Sequence, residues 1–216
     1  MSTPLRFNIS CDGEFTIDEK GIRSRDPISV KSSGWNWWGN TFTLECNNTN
    51  TNSTIVSSNF GSTVVTTNSS YIYVNGHKVD VPQNKSESKV FNEEFNFNNP
   101  VLEELKTTGP AIHNVDLPLA SDSKLRINGS GSINIRGKAR SSNCNIHVTG
   151  SGAIYGNYQF DNLKASLTGS GSIFGFKIDN NINANVTGSG SIQLKSQKGC
   201  RVSKSVIGSG YINAKE

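Results

Sequence analysis

The sequence predicts an all-β protein whose C-terminal half is a right-handed parallel β-solenoid with about twenty residues per coil. Three observations predict this. First, Gly-Ser-Gly occurs five times, at Gly129-Ser130-Gly131, Gly150-Ser151-Gly152, Gly169-Ser170-Gly171, Gly188-Ser189-Gly190 and Gly208-Ser209-Gly210, with spacings of 21, 19, 19 and 20 residues. A near-constant period of this length marks stacked coils. Second, apolar residues alternate with polar ones on both sides of each triplet. Third, the chain is 33% hydrophobic and holds 27 asparagines among many Ser, Thr and Gly residues. That is turn chemistry around a thin core. Right-handedness follows from the general rule for parallel crossovers.

The columns of the repeat are regular. Two positions before the first glycine stand Ile127, Val148, Leu167, Val186 and Val206. Four positions after it stand Ile133, Ile154, Ile173, Ile192 and Ile212. Period-two alternation gives two short strands per coil, and no apolar residues recur at helical spacing. Arg126, His147, Ser166, Asn185 and Ser205 share a polar column that faces solvent. Equivalent residues stack about 4.8 Å apart.

The Gly-Ser-Gly corner reads as a required bend, since glycine adopts positive φ and allows close backbone approach. The competing reading, an anion-binding nest of N–H groups, lacks the helix and lysine of a phosphate loop. A second corner, seven residues before each triplet, holds Asn143, Asn162, Asn181 and then Arg201. The three amides are placed to form a ladder. Asp161 and Asp179 stand one position out of register, so they do not form an aligned carboxylate pair.

The pieces Val148-Thr149-Gly150-Ser151-Gly152-Ala153-Ile154, Leu167-Thr168-Gly169-Ser170-Gly171-Ser172-Ile173 and Val186-Thr187-Gly188-Ser189-Gly190-Ser191-Ile192 resemble the head-GIN-domain family of auto-transporter adhesins. The resemblance covers about residues 115–216. It implies a parallel β-solenoid that binds rather than catalyses, and it brings no catalytic residues.

Residues 1–114 lack the clear repeat and are expected to be a β-rich region that caps the solenoid over 115–216. A sandwich, or a less regular part of the solenoid, remains open. Phe7–Ile9, Phe15–Ile17, Thr41–Leu44, Thr54–Ser57 and Thr63–Thr66 read as strands. Tyr71–Val81 reads as a hairpin turning at Asn75-Gly76. Pro100–Lys106 reads as one helical turn capped by Asn99; alternatively Leu105–Ile112 is a degenerate first coil, since Gly109 lies twenty residues before Gly129.

No run of about eighteen apolar residues exists, and the N-terminus has no apolar signal core, so synthesis inside the cell, with the product in the cytoplasm or in a particle, is expected. Cys11, Cys46, Cys144 and Cys200 match no zinc spacing. Cys144 falls in an inward column and reads as a buried free thiol. A Cys11–Cys46 disulfide is open, with a reducing compartment weighing against it. No metal or cofactor is expected. His113 and His147 stand isolated and read as polar surface residues. No nucleophile, base and acid fall at a legible spacing, so an enzyme is not expected.

The net charge of +4 hides an asymmetry. Residues 121–216 carry 12 basic and 4 acidic side chains, a balance of +8, while residues 1–120 carry 9 and 13, a balance of −4. Arg136, Lys138 and Arg140, with Lys195, Lys198 and Arg201, form the candidate basic patch for a polyanion. Trp35, Trp37 and Trp38 lie within four residues and form a candidate binding tip. Tyr155 and Phe174 occupy one outward column in adjacent coils and predict an exposed aromatic stripe. The function expected is a non-enzymatic structural or adhesion module that binds protein or itself, as a component of a larger assembly such as a virus particle. Polysaccharide binding or action, and polyanion binding, are the alternatives.

Overall fold

Close contact between the glycine corners of successive coils sets the geometry of the chain. The computed structural model describes residues 2–28, 30–36, 40–46, 71–74, 77–80, 89–94, 97–137 and 140–216. In chain order the strands are β1 (Thr3–Ser10), β2 (Glu14–Asp18), β3 (Gly21–Ile28), β4 (Val30–Asn36), β5 (Thr41–Cys46), β6 (Tyr71–Val74), β7 (His77–Asp80), β8 (Lys89–Glu94), β9 (Pro100–Thr108) and β10 (Ile112–Val115). They continue as β11 (Leu119–Gly129), β12 (Ser132–Ile135), β13 (Arg140–Gly150), β14 (Ala153–Gly156), β15 (Gln159–Gly169), β16 (Ser172–Gly188), β17 (Ser191–Ser196), β18 (Arg201–Ile207) and β19 (Tyr211–Lys215). No helix occurs among the described residues.

The strands build a β-solenoid of about six turns. Each coil places a long strand before the glycine corner and a shorter one after it. The long strands stack in parallel as β5, β1, β9, β11, β13, β15, β16 and β18. The shorter ones stack as β2, β10, β12, β14, β16, β17 and β19. β16 serves both stacks, because its first residues pair with β14 and β17 and its last with β15 and β18.

The corner explains the triplet atom by atom. Gly150 has φ of 111°, a conformation that side chains rarely tolerate. A Cβ on Gly152 would lie 2.6 Å from the Gly131 carbonyl oxygen, and one on Gly171 would lie 2.3 Å from that of Gly152. The Gly150 carbonyl accepts both the Ser170 N–H, at 3.0 Å, and the Gly171 N–H, at 3.1 Å. The Gly169 carbonyl takes the N–H groups of Ser189 and Gly190 in the same way, both at 3.0 Å. The donors that an anion nest would offer are therefore already used by the preceding coil, and the bend is the role of the corner.

Inside the coils, like stacks on like. Ile133, Ile154, Ile173 and Ile192 are fully buried in one column, with Ile127, Val148, Leu167 and Val186 in another. Cys144 is buried, and burial pushes its thiol up to about 12. A third inward group, Tyr158, Phe160 and Phe176, fills the wider corner with ring centroids 5.2 and 5.5 Å apart. Tyr158 accepts the Leu119 N–H at 3.0 Å, which satisfies its buried hydroxyl. In β18 the inward columns open, leaving Val202 and Val206 about 40% exposed beside Lys204.

The solenoid reaches further toward the N-terminus than residue 115. β1 lies between β5 and β9, and β2 pairs with β10, so Thr3–Asp18 forms a coil of its own. Antiparallel strands lie outside it: β3 on β2, β8 on β3, and β4 on β5. Phe7 stacks on Phe42 with centroids 5.0 Å apart. The strands read at Phe7–Ile9, Phe15–Ile17 and Thr41–Leu44 are present, and β6 pairs with β7 in the expected hairpin. Thr54–Ser57, Thr63–Thr66 and the Asn75-Gly76 turn fall outside the described residues.

Three expectations change. Pro100–Lys106 is strand β9, not a helical turn. Its Leu102 and Leu105 are fully buried against β1 and β11, and that pairing overrides the local capping signal. The degenerate-coil alternative fits instead, since Gly109 has φ of 100° and sits beneath Gly129. His113 is fully buried rather than on the surface. It takes the place of isoleucine in its column, between Phe15 and Ile133, and its Nε2 lies 2.8 Å from the Thr107 hydroxyl. Cys11 and Cys46 are bonded, with Cα atoms 4.7 Å apart. The register Ser10 to Glu45 places the next pair, Cys11 and Cys46, side by side on neighbouring parallel strands.

Three tests follow from this packing. Gly171→Ala is expected to cost about 2–4 kcal/mol through the clash with the Gly152 carbonyl, while Ser170→Ala, exposed between the same glycines, costs less than about 0.5 kcal/mol; urea unfolding of both variants decides. Breaking the disulfide by Cys46→Ser is expected to lower stability by about 3–4 kcal/mol for a closed loop of 35 residues. Burial lowers the His113 pKa to about 3, and its Nδ1 has no hydrogen-bond partner. The unfolded chain therefore takes up the proton first, and stability falls as pH drops from about 6.5 toward 3. Between pH 7 and pH 4.5 the loss from this group is about 2–3 kcal/mol. The double variant His113→Ile/Thr107→Val is expected to remove that loss in denaturant titrations at the two pH values.

Candidate functional site

Residues that face outward on a solenoid form ladders, because each coil repeats the position of the last. The stack of shorter strands carries two such columns. One contains Ser132, Ala153, Ser172 and Ser191, all small and partly exposed. The other contains Asn134, Tyr155, Phe174 and Gln193. Alternation along β12, β14, β16 and β17 puts both columns outside, while Ile133, Ile154, Ile173 and Ile192 between them point in.

Tyr155 and Phe174 stack with ring centroids 5.0 Å apart and planes 5° from parallel. Phe174 is 39% exposed. The pair stands beside the strip of small residues, so the face is a shallow shelf with an aromatic wall. Polar partners extend it at both ends. The Asn134 amide donates to the Asn114 side-chain oxygen at 3.3 Å, and Gln193 donates to the Tyr211 hydroxyl at 2.7 Å. The predicted aromatic stripe is thus formed, and Tyr211, which the sequence reading passed over, joins it from the neighbouring column. The signal for Tyr211 was its place directly after the last triplet, where earlier coils hold Ser or Ala.

The asparagine ladder is also formed. Asn162 donates to Asn143 at 2.9 Å, Asn181 to Asn162 at 2.6 Å, and Asn143 to Asp122 at 2.6 Å. Asn143 and Asn162 each use one donor and one acceptor within the ladder, Asn181 donates at its end, and a groove of about 630 Å³ runs along it. Arg201 follows Asn181 in the register and lines the same groove.

The basic residues separate. Arg140 donates from Nε to Asp161 at 2.8 Å and lies 2.9 Å from the Asp179 carboxylate, which also accepts from Gln159 at 2.9 Å. The hydrogen bond to Asp161 raises the Arg140 pKa further. The two carboxylates are out of register, and the long guanidinium reaches both. Lys195 stands between Lys177 and Lys215 on adjacent coils. Arg136 follows β12, and Lys198 is exposed in the turn before β18. Lys138 lies outside the described residues. Trp35 sits on β4 opposite Phe42, and Trp37 and Trp38 lie outside the described residues.

His113 is enclosed, and His147 is exposed with its Nε2 3.1 Å from the Thr149 hydroxyl. No group of three His, Cys, Asp or Glu residues that could hold a metal occurs among the described residues.

A family model described as "Putative auto-transporter adhesin, head GIN domain" matches residues 48–215. No curated protein matches the chain. The chain is similar to a solved structure described as a "Putative lipid binding protein" from Parabacteroides distasonis ATCC 8503, at 17% identity, with a TM-score of 0.41, covering 99% of this chain and 94% of that one.

Proposed function

The chain belongs to the head-GIN-domain family of auto-transporter adhesins, and from that premise we propose that it is a non-enzymatic binding module whose contact surface is the shelf around Tyr155 and Phe174. The observation that carries this reading is the stacked aromatic pair on the outward sheet face, with Phe174 exposed and Tyr155 half-buried beside it. Burying such rings in a partner releases ordered water from apolar surface, and interfaces are enriched in aromatic anchors for that reason. The rings are already stacked and held by a rigid coil, so little side-chain entropy is lost on contact. The neighbouring Ser, Asn and Gln side chains offer hydrogen bonds at the rim, where they remain wet until a partner arrives.

The partner of this reading is a neutral surface, protein or glycan, because no formal charge stands in the Ser132–Ser191 or Asn134–Gln193 columns. The Cys11–Cys46 bond supports work in an oxidising compartment, where such bonds persist.

A panel of purified extracellular-matrix proteins and neutral glycans tests the reading. The wild-type chain is expected to retain at least one probe, and Tyr155→Ala/Phe174→Ala to bind that probe at least tenfold more weakly. Retention unchanged in the double variant, or no probe retained by the wild type, overturns it.

A further inference from the structure

The stack of long strands presents a second outward face, and its charges are arranged differently from those that the sequence drew together. In one column Lys106, Arg126 and His147 stand on successive strands β9, β11 and β13. In the next column Lys124, Asn145 and Lys164 stand on β11, β13 and β15. All six are exposed. Lys124 and Arg126 flank the inward Leu125 on one strand, so the two columns lie side by side on one sheet face.

Four permanent cations meet one carboxylate in this patch. Glu104 lies 3.5 Å from Arg126. No carboxylate among the described residues lies within ion-pair distance of Lys106, Lys124 or Lys164. Contrast Arg140, whose charge is consumed by Asp161 and Asp179. A depression of about 290 Å³ lies among Lys124, Arg126, Asn145, His147, Lys164 and Ser166, and the groove along the asparagine ladder adjoins it at Asn145 and Lys164.

We propose that this face is a binding site for a linear polyanionic polysaccharide, one that carries carboxylate or sulfate groups along its length. Charge complementarity names the sign of the ligand. The repeat names its form: cations on a parallel stack recur in steps of about 4.8 Å, so Lys124 and Lys164, two coils apart, span about 10 Å. That is the scale of one disaccharide, so a chain laid along the solenoid axis meets Lys124 and Lys164 one such step apart, with Glu104 before them in the column and Asn183 after. The amide of Asn145 and the hydroxyl of Ser166, which line the depression with the cations, match the hydroxyls that a sugar ring offers between its charges. Single-stranded nucleic acid fits less well, because its bases stack on aromatic platforms and the outward positions of β11, β13 and β15 hold no Phe, Tyr or Trp, only the imidazole of His147. The site stands on a different face from Tyr155 and Phe174 and uses none of their residues.

The test uses the full chain, with dextran sulfate as probe, uncharged dextran as the neutral control, and poly(dT) and anionic lipid vesicles as competing polyanions. Wild-type protein is expected to bind dextran sulfate in 150 mM salt, to ignore dextran, and to lose affinity steeply as salt rises. Lys124→Glu/Lys164→Glu is expected to weaken binding at least tenfold, with the circular dichroism spectrum of the wild type. Lys195→Glu/Lys215→Glu, on the other stack, is expected to change it less than twofold. Equal loss in both double variants would mean diffuse attraction to net charge and overturn the site. Tighter binding of poly(dT) or of vesicles than of dextran sulfate, or no binding at 150 mM salt, overturns it as well. The Tyr155→Ala/Phe174→Ala variant is expected to bind dextran sulfate normally, so failure of either reading is seen separately.

Discussion

Backbone contact between stacked glycine corners is the constraint on which the structure depends. At each corner the carbonyl of one coil lies where a Cβ of the next would stand, 2.3 to 2.9 Å away along the triplets. The same carbonyls accept the N–H groups of the following triplet. A bulkier residue at these positions would push the coils apart and break both the hydrogen-bond ladder and the side-chain stacking, since parallel strands tolerate little change in spacing. The serine between the glycines is free to vary because it points away from the stack. The triplet is therefore a spacing device, and the isoleucine column four residues later can pack because the spacing holds.

Fixed spacing turns single residues into surfaces. A side chain on one coil is an isolated feature, whereas the same position on four coils is a column with a charge or an apolar character of its own. Tyr155 with Phe174, the asparagine ladder and the Lys106–Arg126–His147 column are three such results, each on a different part of the perimeter. The core is filled by the inward columns of the two strand stacks, so little of the interior is available to enclose a substrate. Binding by an open face, rather than by a cavity, is what this architecture offers. Family membership among adhesin-like domains agrees with that physical limit.

Inward columns admit exceptions only where a partner is supplied. His113 occupies an isoleucine position and reaches the Thr107 hydroxyl, itself in a column of Ile, Val and Leu. The two substitutions lie in one coil and answer each other, as buried polar groups must. Phe15 covers the imidazole from the preceding coil with centroids 5.3 Å apart. Burial disfavours the charged imidazole, so this coil resists protonation of His113.

Much was legible in the sequence because solenoid geometry is local in one dimension. The period of the triplets set the coil length, alternation separated inside from outside, and equal offsets brought Tyr155 to Phe174 and Asn143 to Asn162. These contacts join residues about twenty apart, and a repeat states them outright. What needed the tertiary structure was every contact that breaks the period. Thr3–Asp18 forms a coil beside β9 across some eighty residues of chain, and no repeat marks it. Cys11 meets Cys46 because β5 pairs in parallel with β1, a register that spacing alone left open. Arg140 reaches two carboxylates on the next two coils, because a long side chain crosses registers that a backbone alignment keeps separate. Sequence determined the columns, since periodicity is a property of order along the chain. The fold decided which columns share a face and which charges are already spent, since those depend on distances that only closure of the coils creates.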